Sequence, residues 1–330
     1  MMPTRSTRTG LALTELGLGG ASFGNLYTAI TDEEAASAVD AAWENGIRYF
    51  DTAPHYGVGL SERRLGALLA RYPRDEYVLS TKVGRLLVAD PGATGRDPEG
   101  FEVPATARRV WDFSRDGILR SVEESLTRLG LDRIDILYIH DADDHYLEAS
   151  TEAVPALVEL REQGVVGAIG VGMNQTELPA RFIRETDIDL VMLAGRCTLL
   201  DQSALGELLP LAEERGVGVV AAGVYNSGLL ATDRPTSDAK FDYEAAPPAL
   251  ITRANLLADV CESHGVTLPE AAVAFPLRHP SVVSVVLGAS NRTQVESNVR
   301  RYNTPLPNAL WDELNDRGLV TERPVSKETK

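Results

Sequence analysis

The chain carries about eight short apolar runs, and most of them are continuous rather than alternating in polarity. Continuous apolar runs are typical of parallel strands, because both faces of such strands are covered in the fold. Each run is followed by a stretch in which apolar residues recur at helical spacing, so strands and helices alternate along the chain. The predicted strands span residues 15–20, 47–51, 77–82, 134–140, 165–172, 189–195, 217–223 and 282–288.

The predicted helices begin and end at recognisable signals. Thr31 and Glu34 form the pattern of a capping box ahead of the first helix. Gly130, Gly164 and Gly216 follow the last turns of three other helices, where a left-handed glycine ends a helix at little cost. Eight strand–helix units in a chain of this length match a (β/α)8 TIM barrel, and this α/β barrel is the predicted fold. A doubly wound open sheet is the alternative architecture.

The pattern predicts one barrel domain over residues 11–317, which opens with a short N-terminal hairpin. The polar segments 1–10 and 318–330 are expected to be flexible tails. Residues 84–115 and 224–250 are too long to be plain turns, and both leave the carboxyl ends of predicted strands. Long loops at that face of a barrel usually form the wall of a pocket, and a disordered surface insertion is the alternative.

Composition and charge narrow the class of partner. The chain has 330 residues, of which 44% are hydrophobic, and its formal net charge is −16. A surface this acidic disfavours nucleic acids and anionic membranes as partners. We expect a small-molecule substrate and a monomer or small homo-oligomer. The sequence has no recognisable signal peptide and no apolar run of membrane-spanning length, so the cytoplasm is the expected location, with Cys197 and Cys261 as reduced thiols.

Three predicted strands end in a residue that is capable of chemistry, namely Asp51, Lys82 and His140, and Tyr56 lies just beyond the first strand end. Because the carboxyl ends of parallel strands meet at one edge of a barrel, we expect these side chains to converge. A free tyrosine, with a pKa of about 10, is a poor acid or base near neutral pH. A neighbouring ammonium lowers that pKa, so Lys82 is expected to lower the pKa of Tyr56.

The four residues suit a proton transfer that is coupled to hydride transfer at a carbon–oxygen centre. Tyr56 would donate or accept the proton. Asp51 would supply the countercharge that keeps a buried Lys82 protonated. A neutral His140 would hydrogen-bond the substrate oxygen and orient it. This hypothesis involves no metal ion.

Several segments of the chain resemble the aldo-keto reductase superfamily, and the resemblance spans about residues 11–317. It implies a (β/α)8 barrel that binds NAD or NADP in an extended form without a Rossmann motif. It also implies a catalytic tetrad of Asp51, Tyr56, Lys82 and His140. The segments that carry the resemblance are residues 51–57 (DTAPHYG), 61–66 (SERRLG), 80–84 (STKVG), 126–140 (LTRLGLDRIDILYIH), 170–174 (GVGMN) and 288–298 (GASNRTQVESN).

The same resemblance implies a set of cofactor-binding residues. Asn174 would contact the nicotinamide amide, residues 227–229 would lie along the pyrophosphate, and residues 290–298 would hold the adenosine end. Many members carry Lys and Arg where this chain has Gly288 and Gln294, which favours NAD, or dual use, over strict NADP. The implied cofactor-binding residues are Gly20, Ala21, Asn174, Ser227, Gly228, Leu229, Gly288, Ser290, Arg292, Gln294 and Asn298.

Four stretches (APHYGVGLSERRLG, HDADDH, AGRCTLLDQ and GVYNSGLL) are most similar to one branch of the superfamily. This branch holds sugar dehydrogenases of the D-threo-aldose and L-fucose type and pyridoxal dehydrogenase. The resemblance implies oxidation of the C1 hydroxyl of a cyclic aldose to a lactone, with Tyr56 taking the proton. Reduction of an aldehyde or ketone and oxidation of pyridoxal at position 4 are the alternatives within the superfamily. The candidate substrate-pocket residues are His55, Trp111, Phe113, His145 and Tyr225.

Three further hypotheses lie outside this chemistry. Lys82 could be the nucleophile of a Schiff-base aldolase in the same barrel. The chain could instead be a non-catalytic subunit that senses a cofactor and binds a partner. A metal hydrolase could use a cluster of ligand-type residues, although a solvated acidic loop is the simpler interpretation of that cluster. The residues of the cluster are His140, Asp141, Asp143, Asp144 and His145.

Overall fold

The fold is a closed barrel of eight parallel strands, in a computed structural model that describes residues 2–242 and 244–321. The strands follow one another around the barrel in chain order, and Val285 pairs with Leu16 where the last strand meets the first. This pairing confirms the TIM barrel, and the alternative of an open sheet is wrong. The barrel strands are Leu16–Gly19, Tyr49–Asp51, Val78–Val83, Ile136–His140, Ala168–Met173, Leu190–Ala194, Gly218–Ala222 and Val282–Gly288.

Helices surround the barrel and cover its outer face. Thr31 caps the first helix as a capping box, with its Oγ1 accepting from the Glu34 amide at 3.1 Å. Gly130 and Gly216 end their helices in the left-handed conformation, as expected. The helices are Asp32–Glu44, Leu60–Leu69, Arg115–Leu129, Tyr146–Glu148, Val154–Glu162, Glu177–Glu185, Leu208–Arg215, Pro248–Ser263, Leu268–Ala274, Arg292–Asn303 and Asn308–Asp316.

The N-terminal hairpin begins earlier than expected, inside the segment that was expected to be a flexible tail. Thr4–Ser6 pairs with Ala12–Thr14 in an antiparallel arrangement. The Arg5 guanidinium donates to the Leu277 and Val282 carbonyls at 2.9 and 2.8 Å, which ties the hairpin to the amino-terminal end of the barrel. The strand Thr4–Ser6 is therefore part of the folded structure and not of a flexible tail.

Both long loops contain short strands. Residues 84–115 form an antiparallel hairpin of Arg85–Ala89 with Ala107–Trp111, so the alternative of a disordered insertion is wrong for this loop. Residues 224–250 contain a second, shorter pair, Lys240–Phe241 with Glu244–Ala245. Both loops leave the carboxyl-terminal ends of barrel strands, as expected.

At the other end of the chain, Leu319 and Val320 are buried in a second hydrophobic cluster outside the barrel, so the predicted tail starts later than residue 318. Residues 322–330 of that predicted tail lie outside the described residues. Among the helices of the described residues, none has the length and apolar character that a transmembrane span requires.

Candidate active site

Asp51 and Lys82 form a buried ion pair at two neighbouring strand ends. The Lys82 Nζ lies 2.7 Å from Asp51 Oδ2 and donates to the Thr52 carbonyl at 3.0 Å, and neither charged residue is more than 3% exposed. Burial alone would lower the pKa of Lys82, but the Asp51 carboxylate and the Tyr56 phenol together raise it above its ordinary value. Lys82 is therefore an ammonium near neutral pH.

A chain of buried hydroxyl groups in the barrel interior also holds the carboxylate of Asp51. Ser80 Oγ donates to Asp51 Oδ1 at 2.7 Å, and Tyr49 Oη lies 3.1 Å from Ser80 Oγ. Tyr49 and Tyr138 in turn share a hydrogen bond of 3.2 Å. Because these groups come from adjacent strands, the barrel interior fixes the direction of the carboxylate before any substrate enters.

Tyr56 lies beside the ammonium of Lys82, whose nitrogen is 4.7 Å from the centre of the phenol ring. The loop that carries the phenol packs tightly, since Gly57 has a φ of +62° and a Cβ added there would lie 2.3 Å from the Gly24 carbonyl oxygen. Any larger residue at position 57 would displace the phenol.

The pKa of Tyr56 is raised, which corrects the sequence-based prediction that Lys82 lowers it below the ordinary value. Burial of the phenol raises the pKa, and the Lys82 ammonium only partly offsets this effect. The phenol is therefore protonated near neutral pH. In this state it can donate a proton to a substrate oxygen, and it must lose its proton before it can accept one.

His140 lies at the third strand end, next to the imidazole of His55. The two ring centres are 5.6 Å apart, and the His140 ring centre is 6.0 Å from that of Tyr56. Burial lowers the pKa of His55 to about 2 and that of His140 well below its usual range, and the positive charges of Arg85 and Lys82 add to both effects. Both imidazoles are therefore neutral, as the hypothesis requires of His140.

These two neutral imidazoles make the free energy of unfolding sensitive to acid. Below about pH 6.5, the ordinary pKa of histidine, the unfolded chain binds a proton at each site, whereas folded His55 does so only near pH 2. Because the unfolded state binds more protons, we expect the free energy of unfolding to decrease from pH 6.5 to pH 5. The expected slope is up to about 1.4 kcal/mol per pH unit for each histidine. Urea denaturation at several pH values measures it.

His55→Asn should remove part of this pH dependence. The control is His264→Asn, because the ring of His264 lies outside the cavity and contacts Glu313 at 2.7 Å. An unchanged slope in His55→Asn would show that the imidazole at position 55 is charged or accessible in the folded protein.

Two charged residues at the site were not among the candidate catalytic or substrate residues. Arg85 begins the loop hairpin, and its guanidinium contacts the carboxylate of Asp141. Arg85 Nη1 also lies 3.3 Å from His55 Nδ1, and Asp141 Oδ2 lies 3.5 Å from His140 Nε2. The only available signal was the position of each residue, since Arg85 lies three residues after Lys82 and Asp141 directly follows His140.

The four tetrad residues open into one cavity of about 550 Å³. Of the predicted cofactor residues, Gly20, Ala21, Asn174 and Gly288 line this cavity as well. The wall also includes Asp141, which the sequence placed only in the candidate metal cluster, and several residues that the sequence did not single out. These are Leu26, Tyr27, Arg85, Glu99 and Phe101.

The residues of the cavity are compatible with the nicotinamide end of a cofactor, because small residues from consecutive strand ends line it. They leave room for a flat ring next to Tyr56 and His140. A second observation supports the fit: among the described residues that line the cavity, buried His140 Nδ1 has no hydrogen-bond partner. The small residues are Gly172, Ala194, Ala222, Gly223 and Gly288.

The remaining predicted cofactor residues lie on a loop and a helix that contact each other. The Tyr225 hydroxyl donates to Asn298 Oδ1 at 3.1 Å, which joins the loop carrying Ser227, Gly228 and Leu229 to the helix Arg292–Asn303. The side chain of Leu229 is buried in the second hydrophobic cluster, so only its backbone is available to a ligand.

At the start of that helix, Asn291 is the capping residue, since its Oδ1 accepts from the Gln294 amide at 3.1 Å, and the side chain of Gln294 is exposed. Its Oε1 accepts from the Ser290 amide at 2.8 Å. Arg292 binds both carboxylate oxygens of Glu44, at 2.6 and 3.1 Å.

The predicted substrate residues separate into three groups. His55 lines the main cavity, whereas Trp111 and His145 line a smaller neighbouring cavity of about 250 Å³ together with Arg85 and Asp141. The predictions for Phe113 and Tyr225 need correction. Phe113 is fully buried against Gly84, where an added Cβ would lie 2.3 Å from its ring. Tyr225 contacts Arg301 and Asn298 on the cofactor side instead.

The acidic segment that follows His140 does not converge on a point. Asp141 turns toward Arg85, while His145 packs against Trp111 and Phe113 at ring distances of 5.5 and 5.2 Å. Within the described residues, no three His, Cys, Asp or Glu side chains are grouped as metal ligands.

A family model described as "Aldo/keto reductase family" matches residues 15–317. The chain therefore belongs to the aldo/keto reductase family of oxidoreductases, enzymes that use NAD(P)H. Among its relatives, a D-threo-aldose 1-dehydrogenase from Pseudomonas sp. is 49% identical over 94% of this chain and 96% of that protein. A pyridoxal 4-dehydrogenase from Microbacterium luteolum is 41% identical over 95% and 96% of the two chains.

Solved structures agree with this assignment. The holo form of an aldo-keto reductase from Bacillus halodurans superposes with a TM-score of 0.78 at 27% identity and covers 100% of both chains. The glycerol dehydrogenase from Gluconobacter oxydans superposes with a TM-score of 0.76 at 24% identity, over 98% of each chain, and supports the fold alone.

Proposed function

We propose that this chain oxidises the C1 hydroxyl of a cyclic aldose to a lactone. The observation that carries the proposal is the convergence of Tyr56, Lys82 and His140 on one cavity lined by small residues. The charged side chains of Arg85, Asp141 and Glu99 in the same cavity favour a substrate with many hydroxyl groups. The D-threo-aldose 1-dehydrogenase relative at 49% identity supports the same substrate class.

In this proposal, the neutral His140 ring hydrogen-bonds the substrate oxygen and orients the reacting carbon. Tyr56 must first lose its own proton, and the phenolate then takes the proton of the C1 hydroxyl. The neighbouring Lys82 ammonium stabilises this phenolate. Nicotinamide, when bound, supplies the hydride acceptor. Asp51 and Ser80 keep Lys82 in place throughout. In the reverse direction, protonated Tyr56 donates to a carbonyl oxygen.

A second candidate within the family is the oxidation of pyridoxal, and the relative at 41% identity supports it. The aldolase hypothesis has less support, because Lys82 is held as an ammonium by Asp51 and lacks the lone pair that a Schiff base requires. The purified protein should be assayed with a panel of aldoses, pyridoxal and simple aldehydes, with NAD and NADP separately. The proposal predicts the highest kcat/KM for an aldose, and it fails if no aldose is oxidised.

We further propose that the chain prefers NAD to NADP. Arg292, the cation that the family resemblance implies could meet a 2′-phosphate, is already bound by Glu44 and lies 3.4 Å from Glu296. These carboxylates compete with a phosphate for the guanidinium and repel it.

Replacing Glu44 should therefore shift the preference toward NADP. We expect Glu44→Gln to raise the ratio of kcat/KM for NADP to that for NAD at least about threefold, because the freed guanidinium gains a favourable Coulomb interaction. Glu159→Gln is a matched control, since Glu159 forms an exposed ion pair of 2.7 Å with Arg115 at a different place on the surface. Equal ratios in both variants would mean that Arg292 lies away from the adenosine ribose.

A further inference from the structure

Arg85 and Asp141, called here the Arg85–Asp141 pair, lie between the two cavities of the site. Both residues line the main cavity beside the tetrad and also the smaller cavity that Trp111 faces. The guanidinium is held from three sides, by Asp141, by His55 and by the Trp111 ring, whose centre is 4.2 Å away. The pair is thus a fixed polar wall that faces the place where a substrate would lie.

The position of this pair is costly for the fold. The side chains of Arg85 and Asp141 are only 12% and 31% exposed, and desolvating two charges usually cancels most of their attraction. Asp141 also adopts a φ of +45°, which is uncommon for a residue with a Cβ. Backbone strain of this kind is frequent at ligand-binding positions. These costs indicate that the pair has a role other than stability.

The pair has unused hydrogen-bonding capacity that suits a diol. The contacts of Asp141 to Arg85 and His140 both use Oδ2, so Oδ1 can accept from a ligand. Each terminal nitrogen of Arg85 makes one such contact, Nη1 with His55 and Nη2 with Asp141, and carries a second N–H that can donate to a ligand. A carboxylate accepts hydrogen bonds from hydroxyl groups and a guanidinium donates to them, so adjacent groups of both kinds match two neighbouring hydroxyls.

We propose that the Arg85–Asp141 pair binds the neighbouring hydroxyl groups of the sugar and so determines which substrates the enzyme accepts. This inference rests on the proposed aldose oxidation and names the residues that select its substrate. Asp141 directly follows His140 in the chain, and Arg85 contacts His55. A hydroxyl group bound to the pair would therefore be adjacent to the reacting C1. Simple aldehydes lack these hydroxyl groups and would react without using the pair.

The first test compares two substrates in Asp141→Asn and Arg85→Gln. For the best aldose, we expect each variant to raise KM about tenfold or more, because a hydrogen bond to a charged group is lost. For the reduction of benzaldehyde, which has no hydroxyl group, kcat/KM should change less than threefold. An equal loss with both substrates would overturn the inference and assign the pair to the catalytic machinery or to folding.

The second test removes a hydroxyl from the substrate instead of from the protein. Deoxy analogues of the aldose should lose about tenfold in kcat/KM with the wild-type protein when the missing hydroxyl is one that the pair binds. With Asp141→Asn, the same analogues should show a much smaller loss of kcat/KM, since this variant already lacks the hydrogen bond to the missing hydroxyl. If every analogue loses the same factor in both proteins, the pair does not bind the hydroxyl groups.

Arg74→Gln is the matched control. Arg74 and Asp135 form a similarly buried ion pair of 2.7 Å, with side chains 16% and 15% exposed, before rather than after a barrel strand. Breaking this pair should lower stability but leave the ratio of aldose to benzaldehyde activity unchanged. If Arg85→Gln does not fold, Arg85→Lys, which keeps the charge but loses the planar fork, should still raise KM for the aldose.

The outcomes separate this inference from the proposed function. A wild-type protein that reduces benzaldehyde but oxidises no aldose would contradict the proposed function and, with it, the inference. A wild-type protein that oxidises an aldose, with variants that keep the same ratio of aldose to benzaldehyde activity, would contradict the inference alone.

Discussion

Tyr56→Phe is expected to abolish turnover while leaving cofactor binding almost unchanged. The variant removes only the hydroxyl that would exchange a proton with the substrate, and general acid–base groups contribute about 10² to 10⁴ in rate. Loss of the hydroxyl creates no large cavity, and the ring remains beside the Lys82 ammonium. The affinity for NAD, measured by quenching of protein fluorescence, should therefore change only a few-fold, while kcat for aldose oxidation falls by at least about 10²-fold.

Tyr27→Phe is the control for this experiment. Tyr27 lines the same cavity, but its ring faces Lys240 rather than Lys82. We expect this variant to keep its rate within a few-fold. If Tyr56→Phe retained a comparable rate, Tyr56 would not be the proton-transfer group, and a neutral His140 would be the next candidate.

The architecture could be predicted because most barrel strands are continuous apolar runs that end abruptly. Ile136–His140, for example, is buried along its whole length and ends at a polar residue. Hydrophobic burial on both faces leaves few alternatives to a parallel strand. The convergence of Asp51, Lys82 and His140 then follows from the parallel order of the strands.

The pKa of Tyr56 could not be predicted in the same way. The sequence places an ammonium near the phenol, but it does not reveal how much water the folded loop excludes. Burial raises the pKa more than Lys82 lowers it, and burial depends on the close packing of residues 56 and 57 against Gly24. Desolvation arises from packing between distant segments, so a local motif cannot report it.

The place of the Arg85–Asp141 pair in the cavity wall could not be predicted from the sequence for a related reason. Arg85 faces the cavity because it pairs with Trp111 across a hairpin. The sequence between these residues contains two competing turn signals, at residues 90–92 and 97–100, so it does not fix the register of the pairing. Asp141 was grouped with the acidic residues that follow it, although its left-handed backbone turns it toward Arg85. Tyr225 was misplaced because its direction depends on Arg301 and Asn298, which lie more than 70 residues further along the chain.

The second large expected effect is the contribution of the Asp51–Lys82 pair to the free energy of unfolding. We expect Asp51→Asn and Lys82→Met each to lower the free energy of unfolding by about 3–5 kcal/mol, because each leaves one buried group without its partner. Asp51 accepts from both Lys82 and Ser80 at 2.7 Å, and the two residues of the pair are only 3% and 2% exposed, so little water can replace the lost contact. Urea denaturation at pH 7 measures the change.

The double variant Asp51→Asn/Lys82→Met distinguishes a lost ion pair from a general packing defect. If the two charges stabilise each other, the double variant should lose less than the sum of the single variants, by about 2 kcal/mol or more. Additive losses would mean that Asp51 and Lys82 are each held by other contacts, such as Ser80 and the Thr52 carbonyl. The same cycle on the exposed pair of Arg115 and Glu159 should show no resolvable coupling, since water solvates both of its charges. None of the three variants at the active site should retain turnover. The two variants with Lys82→Met remove the ammonium beside Tyr56, and Asp51→Asn removes the carboxylate that holds this ammonium in place.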